Sequence, residues 1–159
     1  MSVEHNIPPV FDENSRILIL GSFPSVQSRE NAFFYAHPRN RFWSVLAGIF
    51  GEPTPCTTDE KKQFLLRNHI ALWDVIARCD VTGSSDASIR NTEPNNIKMI
   101  LRQARIERII VNGTTAYKYY QKYQYPVTGI NAVCLPSTSP SNARMNEREL
   151  IDVWREALV

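Results

Sequence analysis

Two clusters of side chains in the first third of the chain have types and spacing suited to chemistry. Gly21-Ser22-Phe23-Pro24-Ser25 ends a short apolar run, Ile17-Leu18-Ile19-Leu20, and Phe33-Phe34-Tyr35-Ala36-His37-Pro38-Arg39-Asn40-Arg41-Phe42-Trp43 stands close behind it. The second cluster combines aromatic rings for stacking, guanidinium and imidazole groups, and the amide of Asn40. Such groups on a loop that follows a buried strand mark the ligand-facing edge of an open α/β sheet. Polar segments recur later, at Asp74, at Asp80 to Asn91 with Gly83-Ser84-Ser85-Asp86, at Asn112-Gly113, and at Pro136-Ser137-Thr138-Ser139-Pro140-Ser141-Asn142.

Several chemistries lack their residues. Gly21 to Ser25 is not a Gly-x-Ser-x-Gly elbow, and His37 and His69 both precede the late loops, so a serine esterase has no late base. Neither a P-loop nor a dinucleotide Gly-x-Gly-x-x-Gly is present. Cys56, Cys79 and Cys134 are scattered without Cys-x-x-Cys spacing, which argues against disulfides, zinc and iron–sulfur clusters and for small apolar fillers. No metal or cofactor is expected. What remains is an amide and hydroxyl cleft with stacking surfaces, suited to a planar heterocycle whose attached phosphates are held by Ser hydroxyls and backbone amides.

The elements that would position these groups alternate. Strands are predicted at Arg16–Leu20, His69–Ile76, Glu107–Val111 and Ala132–Leu135, the first buried on both faces because it lacks polar alternation. Helices are predicted from Asn40 to a cap at Gly51, over Asp59–Arg67 with Thr58 as N-cap and no capping box, from Asn95 or Asn96 through Ala104, over Thr114–Tyr123, and over Asn146–Leu158. Phe64 and Leu65-Leu66 face inward on the second of these, and Leu150, Val153, Trp154 and Leu158 share a face of the last. The first dozen residues read as an irregular lead-in. This order implies a three-layer α/β/α sandwich around a four-stranded, mostly parallel sheet, in which the strand carboxyl ends bring the polar loops to one cleft.

At 159 residues and 43% hydrophobic the chain suits one domain, 1–159. The net charge of +2 is compatible with a nucleic-acid partner without arguing for one. No apolar run is long enough for a transmembrane helix, and Glu4, His5, Pro8 and Pro9 stand where a signal peptide needs an apolar core. A cytoplasmic protein that does not use a membrane is expected.

Gly21–Ser25, Tyr35–Trp43 and Leu135–Pro140 resemble the uracil-DNA glycosylase superfamily, most closely its hypoxanthine-DNA (deoxyinosine) glycosylase branch. The Ala-His-Pro segment running into Asn-Arg-Phe-Trp is also similar to the mismatch-specific uracil/thymine branch. Where that branch carries the Asn of Gly-Ile-Asn-Pro-Gly, Phe23 stands here, and Leu135 replaces the His of the second motif. The resemblance implies a monofunctional glycosylase. It would flip a deaminated nucleotide from double-stranded DNA, hydrolyse its N-glycosidic bond and leave an abasic site, acting as a monomer. It implies Asn40 as the catalytic amide, its carbonyl holding the water, although Asn40 reads equally as a helix cap. It places Ser22, Phe23, Tyr35, Asp74 and Asn112 at the base, with Tyr35 stacking and Phe23 lining the pocket. Ser25, Arg39, Ser137, Ser139, Asn142 and Arg144 fall to DNA, with Asn142 to Arg144 as the stretch that fills the vacated space. His37 reads as a loop brace, Asp86 as the second acidic candidate or else an Asx-turn residue, and Trp43 and Trp154 as core. No Lys falls in the motif loops, which disfavours a Schiff-base lyase step. Mismatch uracil or thymine excision, and a non-catalytic damage-binding module, stay open beside hypoxanthine excision.

Overall fold

The computed structural model describes residues 2–159. Strands β2 (Ile17–Gly21), β3 (Ile70–Asp74), β6 (Arg108–Asn112) and β7 (Ala132–Leu135) form one parallel sheet in the order β3-β2-β6-β7. Leu18, Ile19, Leu20, Ile70, Ala71, Leu72, Ile109, Ile110 and Val111 are fully buried, which is why these strands read as apolar runs without alternation. Helices flank the sheet: α2 (Phe42–Phe50), α3 (Thr58–Arg67), α4 (Lys98–Gln103), α5 (Thr114–Tyr119) and α7 (Glu147–Leu158), completing the expected sandwich. Gly48 lets α2 lie directly on α7, since a Cβ there would meet the Ile151 side chain.

The register aligns the carboxyl ends. Gly21 is the partner of Asp74, and Asn112 is the partner of Leu135. The loops that leave these four residues therefore open on a single edge of the sheet.

A second sheet has no counterpart in the sequence reading. The lead-in contains β1 (Ser2–Glu4), and the polar stretch after Asp74 contains β4 (Ile76–Asp80) and β5 (Arg90–Pro94), antiparallel in the order β1-β4-β5. β1 and β5 have no buried residue, so they leave no hydrophobic trace to read. The predicted strand His69–Ile76 is in fact two strands that break at Val75. Val75 donates its N–H to the Gly21 carbonyl, and its own carbonyl accepts from Asn95 N–H and the Gln124 amide. Asn95 is consequently no helix cap, because its side chain donates to the Asp74 and Ile76 carbonyls.

Other boundaries shift for local reasons. Thr57, not Thr58, caps α3 and forms a full capping box with Glu60, and Asn146 does the same for α7 with Glu149. Leu66 is only partly buried and Val153 is exposed, whereas Leu150, Trp154 and Leu158 form the inner stripe of α7. The predicted helix Thr114–Tyr123 passes into a π-turn at Tyr120–Gln124 and a short α6 (Tyr125–Thr128), which brings Gln124 inward to Val75. A further short helix, α1 (Val26–Asn31), lies inside the loop after β2. Cys79 is buried as expected, but Cys56 and Cys134 are exposed and fill no core space.

Candidate active site

The loops at the carboxyl edge enclose a cleft of about 520 Å³. Its floor is built where β2 meets β3. A Cβ at residue 21 would run into Asp74 Oδ1 and stand 2.9 Å from the Tyr35 hydroxyl, so glycine is what allows these two groups to crowd the strand end. Tyr35 turns the chain through the left-handed region (φ 52°) and stacks on Phe42 at 4.1 Å, an interaction that helps offset a strain of ~1–3 kcal/mol. Its hydroxyl is buried without a well-formed hydrogen bond. Burial, with the Asp74 charge behind it, pushes the phenol pKa up, while the nearby Asn112 amide opposes the rise, so Tyr35 stays neutral. Asp74 is itself 4% exposed and takes a hydrogen bond on Oδ2 from His5 Nε2 at 2.8 Å.

Two amides meet across Thr138. Asn112 donates its Nδ2–H to Thr138 Oγ1 (3.0 Å) and accepts from Thr138 N–H (3.1 Å). Thr138 in turn donates its hydroxyl to Asn40 Oδ1 at 2.9 Å, and Phe42 N–H donates to the same oxygen at 2.9 Å. The Asn40 carbonyl is thus filled by two donors. Both of these bonds fall on the oxygen expected to hold water, and no hydrogen bond falls on the Asn40 NH2 among the described residues. Asn40 does support the start of α2, so helix support and cleft lining coexist in one residue.

The mouth is more open. Ser22 donates its hydroxyl to Asp86 Oδ1 at 3.1 Å, which brings the 80–91 stretch over the cleft. The surrounding walls strip water from the Asp86 carboxyl and raise its pKa; hydrogen bonds from Ser22 and Thr115 pull it down, and the Asp74 charge adds to the rise. Opposite stands the 137–142 wall. Arg41 clamps it by donating to the carbonyls of Ser139 (3.0 Å), Asn142 (2.9 Å) and Met145. No Lys lines the cleft, and no group of three or more His, Cys, Asp or Glu side chains able to hold a metal occurs among the described residues.

Comparison with known proteins bears directly on this geometry. The family model of the uracil DNA glycosylase superfamily matches residues 8–158. The chain belongs to that superfamily. It is 33% identical over 143 residues to the hypoxanthine DNA glycosylase of Methanosarcina barkeri, covering 89% of each chain. It is likewise 33% identical over 147 residues to the hypoxanthine DNA glycosylase of Methanosarcina acetivorans, covering 91% of this chain and 92% of the other. A solution NMR structure of a candidate uracil DNA glycosylase from Methanosarcina acetivorans superposes with a TM-score of 0.81 at 32% identity, over 98% of both chains.

In this superfamily member the cleft gathers Ser22, Phe23, Ser25, Tyr35, Asn40, Asp74, Asn112, Ser137 and Ser139. Not all are free. Ser25 caps α1 through Ser28 N–H, and the hydroxyls of Ser137 and Ser139 accept from the N–H groups of Ser139 and Ser141, which shapes the loop. Asn142 and Arg144 line an adjoining depression instead, Asn142 with its amide on the Ser137 carbonyl. Arg39 lies outside the cleft, exposed, beside His37, whose Nδ1 accepts the Arg39 N–H as a loop brace. Trp43 and Trp154 are buried core residues. The residues that sequence reading missed are His5, Thr138 and Arg41, whereas Asp86, the second acidic candidate, does line the cleft. Thr138 and Arg41 sit inside the recognised motifs, but nothing local to His5 signals its place.

Proposed function

We propose that the chain is a monofunctional DNA glycosylase that excises hypoxanthine from deoxyinosine in double-stranded DNA and leaves an abasic site. The observation that carries this reading is the cleft floor. A buried carboxylate and a neutral phenol face the end of a strand, beneath walls of hydroxyl and amide groups, in the chain whose relatives are named hypoxanthine DNA glycosylases. The cleft volume falls in the ~300–1,000 Å³ range of small-molecule sites, which accommodates a flipped base.

In this reading the base enters between Phe23 and Tyr35. The glycosidic bond loosens with oxocarbenium character in the sugar, and water adds at C1′. The Asn40 NH2 donates to the departing base, whose developing negative charge it stabilises. Asp86, at the mouth with Ser22 on one oxygen, is the carboxylate able to accept a proton from the water. The 137–142 wall receives the DNA backbone. With no Lys at the cleft, the abasic product is released without a Schiff-base step.

Uracil excision is the second reading, because the N3–H of uracil suits an acceptor floor as the N1–H of hypoxanthine does. Duplexes carrying one deoxyinosine, deoxyuridine or deoxyxanthosine, treated with alkali after incubation to reveal abasic sites, separate the two. Inosine excision exceeding uracil excision is expected, and action on uracil alone replaces the first reading. Asn40→Ala should lower inosine excision ~100-fold; an unchanged rate removes Asn40 from catalysis. Binding of inosine DNA without release of base identifies a non-catalytic damage-binding module.

A further inference from the structure

His5 precedes the residues that the superfamily model matches, 8–158, yet its side chain is only 2% exposed. Its ring lies among Phe23, Phe34 and Trp73, with centroids 6.0, 6.1 and 6.2 Å away. The segment that carries it is stitched to β3 and β4. His5 N–H donates to the Ala77 carbonyl (2.6 Å), Trp73 Nε1–H donates to the Ile7 carbonyl (3.1 Å), and Val10 and Leu72 exchange backbone bonds of 3.0 and 2.9 Å.

These contacts fix the tautomer as well as the position. Nδ1 accepts from Ile7 N–H at 3.2 Å, so the proton resides on Nε2, which donates it to Asp74 Oδ2 at 2.8 Å. Asp74 Oδ1 receives no hydrogen bond among the described residues, although the side chain is 5% exposed and lines the cleft floor. With Oδ2 held by His5, Oδ1 is the carboxylate oxygen left to accept a hydrogen bond from whatever occupies the cleft.

Deamination supplies such a donor. It converts adenine N1 and cytosine N3, which are acceptors, into the ring N–H groups of hypoxanthine and uracil. A carboxylate oxygen accepts from that N–H and repels the lone pair of the undamaged base. We propose that His5 and Asp74 form a dyad that reads the ring N–H created by deamination. Asp74 Oδ1 takes the hydrogen bond from the extrahelical base, and His5 is the positioning residue that pins the other oxygen. The dyad separates hypoxanthine from adenine and uracil from cytosine. Guanine, which has the same N1–H, is not among the bases it rejects. This inference rests on the glycosylase reading.

The test combines excision with inhibition by free bases. In the wild-type protein, hypoxanthine should inhibit inosine excision at least about tenfold more strongly than 1-methylhypoxanthine, whose N1 hydrogen is replaced by methyl. In Asp74→Asn, His5 Nε2–H must take the amide oxygen, which turns the NH2 to the cleft. Inosine excision should fall about 100-fold, and adenine, whose N1 accepts, should overtake hypoxanthine as inhibitor. His5→Phe combined with Asp74→Asn keeps the ring volume but frees the amide to rotate its oxygen inward. Excision should then recover about tenfold over Asp74→Asn alone, a rescue that loss of packing cannot produce.

Equal inhibition by the two hypoxanthines overturns the dyad without any variant, so the test stands even if Asp74→Asn fails to fold. Wild-type rates in Asp74→Asn, or a double variant no better than the single one, overturn it too. In each of those cases the glycosylase reading survives. A wild-type protein that releases no base from inosine, uracil or xanthosine DNA overturns the glycosylase reading, and the dyad with it.

Discussion

The floor and the mouth of the cleft each present one carboxylate, in opposite surroundings. Asp74 is 4% exposed and is held by His5, which lies 69 residues away in the chain. Asp86 lies on an exposed turn and is held by the hydroxyl of Ser22, which water can replace. A carboxylate whose partner is fixed by a packed N-terminal segment keeps one orientation and can discriminate donors from acceptors. The walls that strip water from the Asp86 carboxyl raise its pKa, which suits it to take up a proton. In the function proposed above, this difference suits the floor to recognition and the mouth to proton transfer.

The most damaging change to this contrast is at the floor. Gly21→Ala places a methyl group against Asp74 Oδ1 and the Tyr35 hydroxyl. It should lower excision by more than ~100-fold while leaving binding of undamaged duplex nearly intact, as comparison of single-turnover rates with duplex affinity will show. Wild-type excision would mean that the floor is not where the base is read.

Thr138→Val acts between the two regions, by removing the hydroxyl that links Asn112 to Asn40. Excision should fall ~10–100-fold and stability by ~1–3 kcal/mol, measured by denaturant unfolding. Arg41→Met strips three carbonyls of their donor and loosens the 137–142 wall. A loss of ~2–4 kcal/mol of stability and weaker duplex binding are expected, with the preference among bases unchanged because the floor is untouched.

The smallest effect belongs to the mouth. The Asp86 pKa is raised on folding, so the folded state holds that proton more tightly than the unfolded chain. The group's contribution to stability is greatest below the ordinary Asp range (~3.9) and declines as pH rises through the folded value. Asp86→Asn, which can still accept from Ser22, should therefore melt slightly above wild type at pH 7 and together with it near pH 3. Its excision rate should lose the pH dependence that an ionising Asp86 imposes. An Asp86→Asn protein with wild-type rate and pH profile would move water activation elsewhere.

Much of this was legible in the chain. Leu18–Leu20 and Ile109–Val111 are buried on both faces, and continuous apolarity is a local signal that survives without tertiary context. The Gly, Asn, Ser and Pro residues after each strand marked the loops, and the parallel order placed them on one edge, which brought Tyr35, Asn40, Asp74, Asn112 and Ser137 together as expected. The packing of the N-terminal segment that carries His5 and the antiparallel sheet were not legible. β1 and β5 are short, polar and exposed, and their pairing is made by backbone groups that every residue carries.

The same division holds for chemistry. The sequence determined which reactive groups exist, that they follow strand ends, and which family they belong to, because residue type and spacing are properties of the chain. Only the tertiary structure decided which atom of each group faces the cleft. Asn40 shows this, since Thr138 and Phe42 both donate to the carbonyl that the sequence offers as an acceptor. His5 shows it again, as an unremarkable residue in a polar lead-in that becomes the partner of Asp74. Hydrogen-bond direction is set by neighbours distant in sequence, and no local pattern encodes it.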